Sequence, residues 1–441
     1  MINTIAIRKE NIELTEKRSP LSPEQISRLI SQHNVNVIVE PWNRYFTDQQ
    51  YIEKGAHIST KLDDANIIFG VKEIPIDDLP ANKACVFFSH TIKGQSYNMP
   101  MLRSILDKNI TLIDYEKVTD ANGRRLIFFG PFAGLAGAIN ALWLLGRRLN
   151  YENIANPFST IKQAKQYTSL AEAKKAVTAV KEKILTDGLP ATGKPWVIAI
   201  TGAGTVSKGA QEIIDLLPVT QVTPVEFKKM QELQSFDHNT LYKIVIDADH
   251  FVKPVDPGKT FSWEQYFKYP EKYTADFNRY VKDITVLING IYWNTMYPRL
   301  ITKEEIRQLY AGDEKANLRV IADITCDIEG SIEFNLKTTT SDNPAYVYDP
   351  FKNDITDGVE GMGPVVLAVD KLPSELPGEA TEFFGDSLIG FVPDLAKTDF
   401  SKPFDELKIP DEFKRAVITH QGKLTPSYEY LQNFLDQQKP A

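Results

Sequence analysis

Cysteine is nearly absent from this sequence: two residues, Cys85 and Cys326, in 441. That excludes a disulfide framework and a cysteine-rich zinc site. Both stand beside apolar residues, the ordinary setting of a buried thiol. Long apolar runs are missing as well. No stretch approaches the ~20 apolar residues of a membrane-spanning helix. The chain opens directly into a strand-like Ile5-Ala-Ile7, with no apolar signal core. The expectation is a soluble, cytoplasmic protein. Positive charge is not in surplus: 50 Lys and Arg stand against 58 Asp and Glu, a net charge of −8. Such a balance argues against a nucleic-acid or anionic-membrane partner. Among six histidines no pair has H-x-x-x-H spacing, so no metal is expected. G-x-S-x-G is absent, and a serine hydrolase is not indicated.

What is present is a strand, a glycine turn and a helix in direct succession. Trp196 to Ile200 is a short apolar run, Gly202 and Gly204 follow, and 205–217 has apolar residues at helical spacing. That order is the context a dinucleotide fingerprint requires. Gly202 permits a tight turn, and Gly204 lets backbone approach a pyrophosphate. The N–H groups of Thr205, Val206 and their successors then face the anion. The third glycine of G-x-G-x-x-G is replaced by Ser207, and Gly209 falls two residues late. Further apolar runs at 219–222, 244–246, 285–288 and 320–324 predict a parallel sheet with crossovers.

The first 130 residues hold a second alternating set. Strands are expected at 4–8, 35–39, 67–71, 84–89 and 111–114, and helices at 23–33 and 99–108. Ser22 and Pro23 suit the cap and first turn of the former. A long helix rich in small residues is expected at 131–150, an amphipathic one at 169–186 and a further one at 379–389. The two apolar helices read as crossings between domains. The expectation is therefore two Rossmann-like α/β domains with parallel sheets and a cleft between them. The first is discontinuous, 1–130 with 366–441, for substrate; the second, 131–365, binds the dinucleotide.

Ligands bind at the carboxyl ends of strands in open α/β sheets. Lys72 in Gly70-Val-Lys-Glu-Ile-Pro75 ends one apolar strand, and His90 in Phe88-Ser-His-Thr-Ile-Lys93 ends the next. Both groups would face one crevice, with Arg18, Lys93, Arg124 and Arg125 as nearby cations.

These motifs carry a resemblance. Residues 6–10 and 16–23, with Gly70–Pro75, look like the alanine dehydrogenase, transhydrogenase and saccharopine dehydrogenase superfamily. Phe88–Lys93, Leu112-Ile-Asp-Tyr-Glu116, Gly123-Arg-Arg125, Leu287-Ile-Asn-Gly-Ile-Tyr-Trp293, Gly330-Ser-Ile-Glu-Phe334 and Glu379-Ala-Thr-Glu-Phe-Phe384 narrow it. They resemble lysine–2-oxoglutarate reductase, the L-lysine-forming saccharopine dehydrogenase, as in the reductase half of bifunctional aminoadipic semialdehyde synthase. The other half would have to reside in another chain. The resemblance implies Lys72 and His90 as the acid–base pair. It implies Arg18, Lys93 and Arg125 as carboxylate binders beside Phe129, with Glu16, Glu73 and Glu116 around them. It implies cofactor contacts at Arg124, Gly202, Gly204, Thr205, Val206, Gly290 and Asp327. Small-molecule partners (lysine, 2-oxoglutarate, saccharopine) follow. Another amino-acid dehydrogenase of the superfamily and a non-catalytic nucleotide-sensing protein stand as alternatives.

The choice between NAD(H) and NADP(H) turns on the region some twenty residues past the fingerprint. It offers Glu226, but also Lys228 and Lys229, behind a strand-ending Pro224. An acid would favour NAD(H) and lysines NADP(H). The lysines and the resemblance together favour NADP(H), with NAD(H) possible.

Overall fold

The computed structural model describes residues 3–10, 16–312 and 316–437. Contacts divide the chain into two compact units, Met1–Phe129 with Pro377–Ala441, and Gly130–Leu376.

The first unit is built on an eight-stranded sheet. Its strands are β1 (Thr4–Ile7), β2 (Asn36–Val39), β3 (His57–Ile58), β4 (Ile67–Phe69), β5 (Ala84–Phe87), β6 (Thr111–Asp114) and, from the returning segment, β17 (Val417–His420) and β18 (Lys423–Leu424). Their order is β18-β17-β6-β5-β4-β1-β2-β3. The first six strands run parallel, and β17 joins β6 antiparallel. β1, β4, β5 and β6 are apolar and almost wholly buried, as strands covered on both faces must be. The Pro23–His33 helix has the expected bounds. Ser22 and Gln25 close a capping box at its start. The Met99–Asp107 helix covers the opposite side, and Pro377–Leu388 packs with the first core through Phe384 and Leu388.

Two strands stop short of their expected ends for the same reason. β4 ends at Phe69: Gly70 N–H still reaches Val86 O at 2.9 Å, but the N–H groups of Val71 and Lys72 turn to the carboxylate of Glu10. β5 ends at Phe87, and Ser89 N–H turns to Asp114.

The second unit holds β7 (Trp196–Thr201), β8 (Val219–Val222), β9 (Leu241–Ile246), a small hairpin of β10 (Val252–Pro254) with β11 (Tyr273–Ala275), then β12 (Val286–Asn289), β13 (Val320–Asp323), β14 (Ala345–Asp349), β15 (Asp354–Asp357) and β16 (Val365–Leu367). The main sheet runs β15-β14-β16-β13-β12-β7-β9-β8. It is parallel except at β14 and β15, which add antiparallel at one edge. Both sheets are thus mixed rather than purely parallel, the antiparallel strands lying at edges where a hairpin can attach without a crossover. The Thr205–Ile214 helix is shorter than the 205–217 pattern. Leu216 and Leu217 tighten onto the carbonyls three residues back, and Pro218 stops the run.

The Gly130–Tyr151 helix is buried along most of its length. Its small residues are a packing device. A Cβ on Gly134 would lie 1.9 Å from Val206 O, and one on Gly209 would lie 2.2 Å from Pro131 O. The helix after the glycine turn therefore sits backbone to backbone on 130–151. The return to the first unit comes at Pro377 rather than 366, because Val365–Leu367 is a strand hydrogen-bonded to β13.

Candidate functional site

In the first unit, the C-terminal ends of β1, β4, β5 and β6 lie side by side. Lys72 and His90 each follow the end of a strand, and those two strands are neighbours. Two buried carboxylates hold the loops that carry them. Glu10, 3% exposed, accepts Val71 N–H at 2.7 Å and Lys72 N–H at 2.9 Å. Asp114, fully buried, accepts Ser89 N–H at 3.0 Å, the Ser89 hydroxyl, and Glu116 N–H at 2.7 Å. Burial pushes both carboxyls up from their ordinary range, against those hydrogen bonds. His90 sits in the left-handed region, φ 50°, and its carbonyl accepts Asn98 Nδ2 at 3.2 Å. A non-glycine residue holds that conformation only where its surroundings impose it. Here the Ser89–Asp114 and Asn98 contacts do so.

His90 Nδ1 is hydrogen-bonded to Glu73 Oε1. That bond holds the imidazole above its ordinary pKa. Burial opposes it, the charges of Glu73 and Asp114 add to it, and Lys72 works against it. For Glu73, burial pushes the carboxyl up, but the bond and charge of His90, with Lys72, outweigh it and the net direction is down. Glu16 behaves alike: burial raises it, Arg18 and then Lys72 more than offset that. Lys72 is therefore felt by Glu16, Glu73 and His90 together.

Arg18, 5% exposed, forks onto Glu16 through Nε at 2.8 Å and Nη2 at 2.6 Å. Its guanidinium lies 4.3 Å over the Phe129 ring, which stacks on Phe384 at 4.5 Å. Arg125 pairs with Glu116 at 2.6 Å. Two of the three expected carboxylate binders thus already have carboxylate partners. Lys93 is exposed, and its side chain makes no hydrogen bond or ion pair among the described residues. Arg124 is exposed and paired with Asp120 at 3.1 Å.

In the second unit, Gly202 takes φ 82° and donates its N–H to Ile246 O at 2.9 Å. A Cβ on Gly290 would lie 3.1 Å from Val206 Cγ1 and 3.3 Å from Thr201 O. Gly202, Val206 and Gly290 therefore meet at the ends of β7 and β12. Gly204 caps the Thr205–Ile214 helix with no side-chain hydrogen bond, and nothing lies within 4 Å of where its Cβ would be. That leaves the opening N–H groups without a resident cap and open backbone beside them, which suits a phosphate. Ser207, at the missing third glycine, is buried. Gly209 supplies the close approach, toward a helix. Asp327 lies beyond the end of β13, two strands from β7, and is exposed.

Beneath the turn runs a polar network that sequence reading did not find. Thr201 Oγ1 donates to Asn289 Oδ1 at 2.7 Å. Asn289 Nδ2 donates to Asp323 Oδ1 at 2.8 Å, and Asn335 Nδ2 donates to Asp323 Oδ2 at 2.8 Å. Burial pushes the Asp323 carboxyl up to about 6. The only signal was that Thr201, Asn289 and Asp323 each end an apolar strand with a polar residue. Glu10 and Asp114 were legible in the same way, inside the motifs but without a role.

Glu226, expected as a possible ribose acid, closes the capping box of the Pro224–Leu233 helix, accepting Thr223 N–H at 2.8 Å and its hydroxyl at 2.8 Å. Lys228 lies 3.8 Å from Glu232, both exposed. This whole stretch follows β8, which pairs with β9 and not with β7. It lies one strand further from the glycine turn than the twenty-residue spacing supposed. Among the described residues no cluster of His, Cys, Asp and Glu could hold a metal ion, and no helix is long and apolar enough to cross a membrane.

Two α/β units, one with an open glycine turn at the head of an uncapped helix, define a Rossmann-type nucleotide-binding protein. The chain belongs to the alanine dehydrogenase/PNT family: that family's N-terminal domain model matches residues 6–136 and its C-terminal domain model 175–427. The second match runs past Pro377, where contacts return to the first unit. The chain is 36% identical over 97% of its length to the alpha-aminoadipic semialdehyde synthase, mitochondrial, of Mus musculus, covering 47% of that protein. It spans about half the length of such curated relatives. A saccharopine dehydrogenase (NAD(+), L-lysine-forming) of Neurospora crassa is 26% identical over 88% of this chain and 90% of its own. Among solved structures, an L-alanine dehydrogenase superposes with a TM-score of 0.61 at 18% identity, covering 98% of this chain and 99% of that one, a likeness of fold.

Proposed function

We propose that the chain condenses L-lysine with 2-oxoglutarate and reduces the product to saccharopine, reversibly. The observation that carries the reading is the set Lys72, Glu73 and His90 past adjacent strand ends, with the Arg18–Glu16 and Arg125–Glu116 pairs on the same unit. The lysine ε-amine must lose a proton before it attacks the keto carbon of 2-oxoglutarate. The carbinolamine must then be protonated on its hydroxyl, which leaves as water and gives a protonated imine. Lys72, once it has given up its own proton, takes the first. His90, kept protonated by Glu73, gives the second. When bound, a reduced nicotinamide would supply hydride to the carbon of that protonated imine. Gly202, Gly204 and the opening N–H groups of the Thr205–Ile214 helix would hold its pyrophosphate, and Val206 with Gly290 would line the place beside it.

The product carries three carboxylates, so several cations are needed. Arg18, Lys93 and Arg125 supply them, arginine being suited to forked recognition of a carboxylate. Because Arg18 and Arg125 already hold Glu16 and Glu116, the substrate shares each guanidinium with a resident acid. That sharing fixes the guanidinium planes before substrate arrives.

The test is oxidation of reduced nicotinamide dinucleotide by the purified chain with lysine plus 2-oxoglutarate, against pyruvate plus ammonia. Turnover with the first pair and none with the second supports the reading. The reverse outcome makes it another amino-acid dehydrogenase, and nucleotide binding without turnover on either makes it a sensor.

A further inference from the structure

In the common doubly wound order, the strand after the fingerprint helix lies beside the fingerprint strand, and an acid at its end binds the adenosine ribose. This chain departs from that order. β9, not β8, is hydrogen-bonded to β7, in register from Trp196 with Leu241 to Thr201 with Ile246. The ladder continues into the turn itself, since Gly202 donates its N–H to Ile246 O at 2.9 Å. The residue after Ile246 is Asp247. β8 is the far edge strand, and its last residue, Val222, pairs with Ile244. Its end is thus one interstrand spacing of ~4.8 Å further from β7.

We propose that Asp247 binds the adenosine ribose and selects NAD(H) over NADP(H). The proposal rests on the reading of Gly130–Leu376 as the dinucleotide-binding unit.

The side chain is suited to the task. Asp247 is half-buried, and one oxygen, Oδ1, accepts its neighbour's N–H from Ala248 at 2.9 Å. Oδ2 takes no hydrogen bond among the described residues, leaving an acceptor for a ribose hydroxyl. The charges around it exclude a second phosphate. Asp249 is near enough to push the Asp247 carboxyl up, as burial does first, and His250 opposes them. Tyr266, packed from the following segment, also feels the Asp247 charge. Two cations near this region, Lys253 and Arg279, are both held by Asp276, at 3.0 and 2.7 Å. A 2′-phosphate, carrying close to two charges, would meet two carboxylates and no uncommitted arginine or lysine among these. A ribose diol meets an acceptor. The forty-two residues between Gly204 and Asp247 hide this from a spacing rule, because an extra helix and edge strand are inserted there.

The experiment is fluorescence titration of the purified 441-residue chain with NADH and with NADPH, in the wild type, in Asp247→Ser and in the Lys228→Ala, Lys229→Ala double variant. Serine keeps the capping role that Asp247 plays for the short helix behind it. The wild type is expected to bind NADH at least ~10-fold more tightly, the worth of one hydrogen bond to a charged group. Asp247→Ser is expected to weaken NADH by about that factor, to weaken NADPH less or strengthen it, and to leave the unfolding midpoint in place. A merely structural residue would weaken both alike. The lysine double variant should leave the ratio where it is. Tighter NADPH binding by the wild type, or a ratio that moves with the lysines and not with Asp247, overturns the proposal. Binding of neither nucleotide overturns the dinucleotide reading beneath it.

Discussion

Gly209→Ala tests the packing on which the nucleotide turn depends. The added Cβ would lie 2.2 Å from Pro131 O, 3.0 Å from Pro131 C and 3.2 Å from Leu135 N. All three are main-chain atoms of the Gly130–Tyr151 helix, so no side chain can swing aside. Restoring a normal carbon–oxygen contact takes a shift of about 1 Å between two buried helices. Overpacking of that kind costs ~1–3 kcal/mol, and rigid backbone puts it at the upper end. Against it stands the better helix propensity of alanine over glycine, about 1 kcal/mol. The net expectation is a loss of about 2 kcal/mol. For a unit of this size that is a fall of roughly 4–8 °C in Tm. Dinucleotide affinity should fall as well, because Val206 on the displaced helix packs against Gly290. Gly390→Ala is the control, since nothing lies within 4 Å of its added Cβ. Urea unfolding and calorimetry read the stability, and nucleotide fluorescence the affinity. If Gly209→Ala unfolds with the wild type while Gly390→Ala does too, the helices are not in backbone contact and the packing argument is wrong.

Four further outcomes are expected. Glu73→Gln removes the chief support of the raised His90 pKa, so the alkaline limb of kcat/KM, where His90 loses its proton, should move to lower pH; an unmoved limb would detach His90 from that limb. In the wild type the His90 share of stability is lost as pH rises through its raised folded pKa, and the Glu73 share as pH falls through its lowered one, so the pair stabilises only between those limits, which a pH series of unfolding midpoints checks. Asp323, raised from 3.8 to about 6, binds a proton more tightly folded than unfolded, so its share of stability should decline as pH climbs from ~4 to about 6 and then level off. Asp323→Asn should abolish that slope in urea midpoints and cost ~1–3 kcal/mol, since its amide must face one of three donors. Arg18→Ala should raise the KM for both substrates and not for nucleotide. It also strands the buried Glu16 charge, for ~3–5 kcal/mol of stability. Arg18→Ala with Glu16→Gln should recover much of the stability and none of the KM, measured by melting and steady-state kinetics.

Much of the architecture is legible in the linear pattern. Thr111–Asp114 and Pro23–His33 have their expected bounds, because an unbroken apolar run and a Ser-Pro capping start are local signals. The adjacency of the strands that carry Lys72 and His90 is likewise anticipated by their order in the chain. Less legible are the carboxylates that hold those loops. Glu10 lies 61 residues from the N–H of Val71 it accepts, and Asp114 lies 25 from that of Ser89. No periodicity marks a side chain as the partner of a distant main-chain group. Neither β14, which is mostly apolar and buried, nor β15, the polar edge strand beside it, was foreseen as a strand.

By itself the sequence determined most of the central parallel strands and the longer helices, and that a glycine turn opens one helix. Those properties come from φ preferences, capping and local apolar periodicity, which act within a few residues. The tertiary structure alone decided the strand order β12-β7-β9-β8. That order puts Asp247, which follows β9, next to the end of β7 and leaves Glu226, on the helix after β8, one strand further away, because parallel pairing is chosen by burial on both faces and not by succession. β9 is buried almost throughout, and β8 is largely exposed. The more apolar strand takes the interior place beside β7, and the polar one is left at the edge.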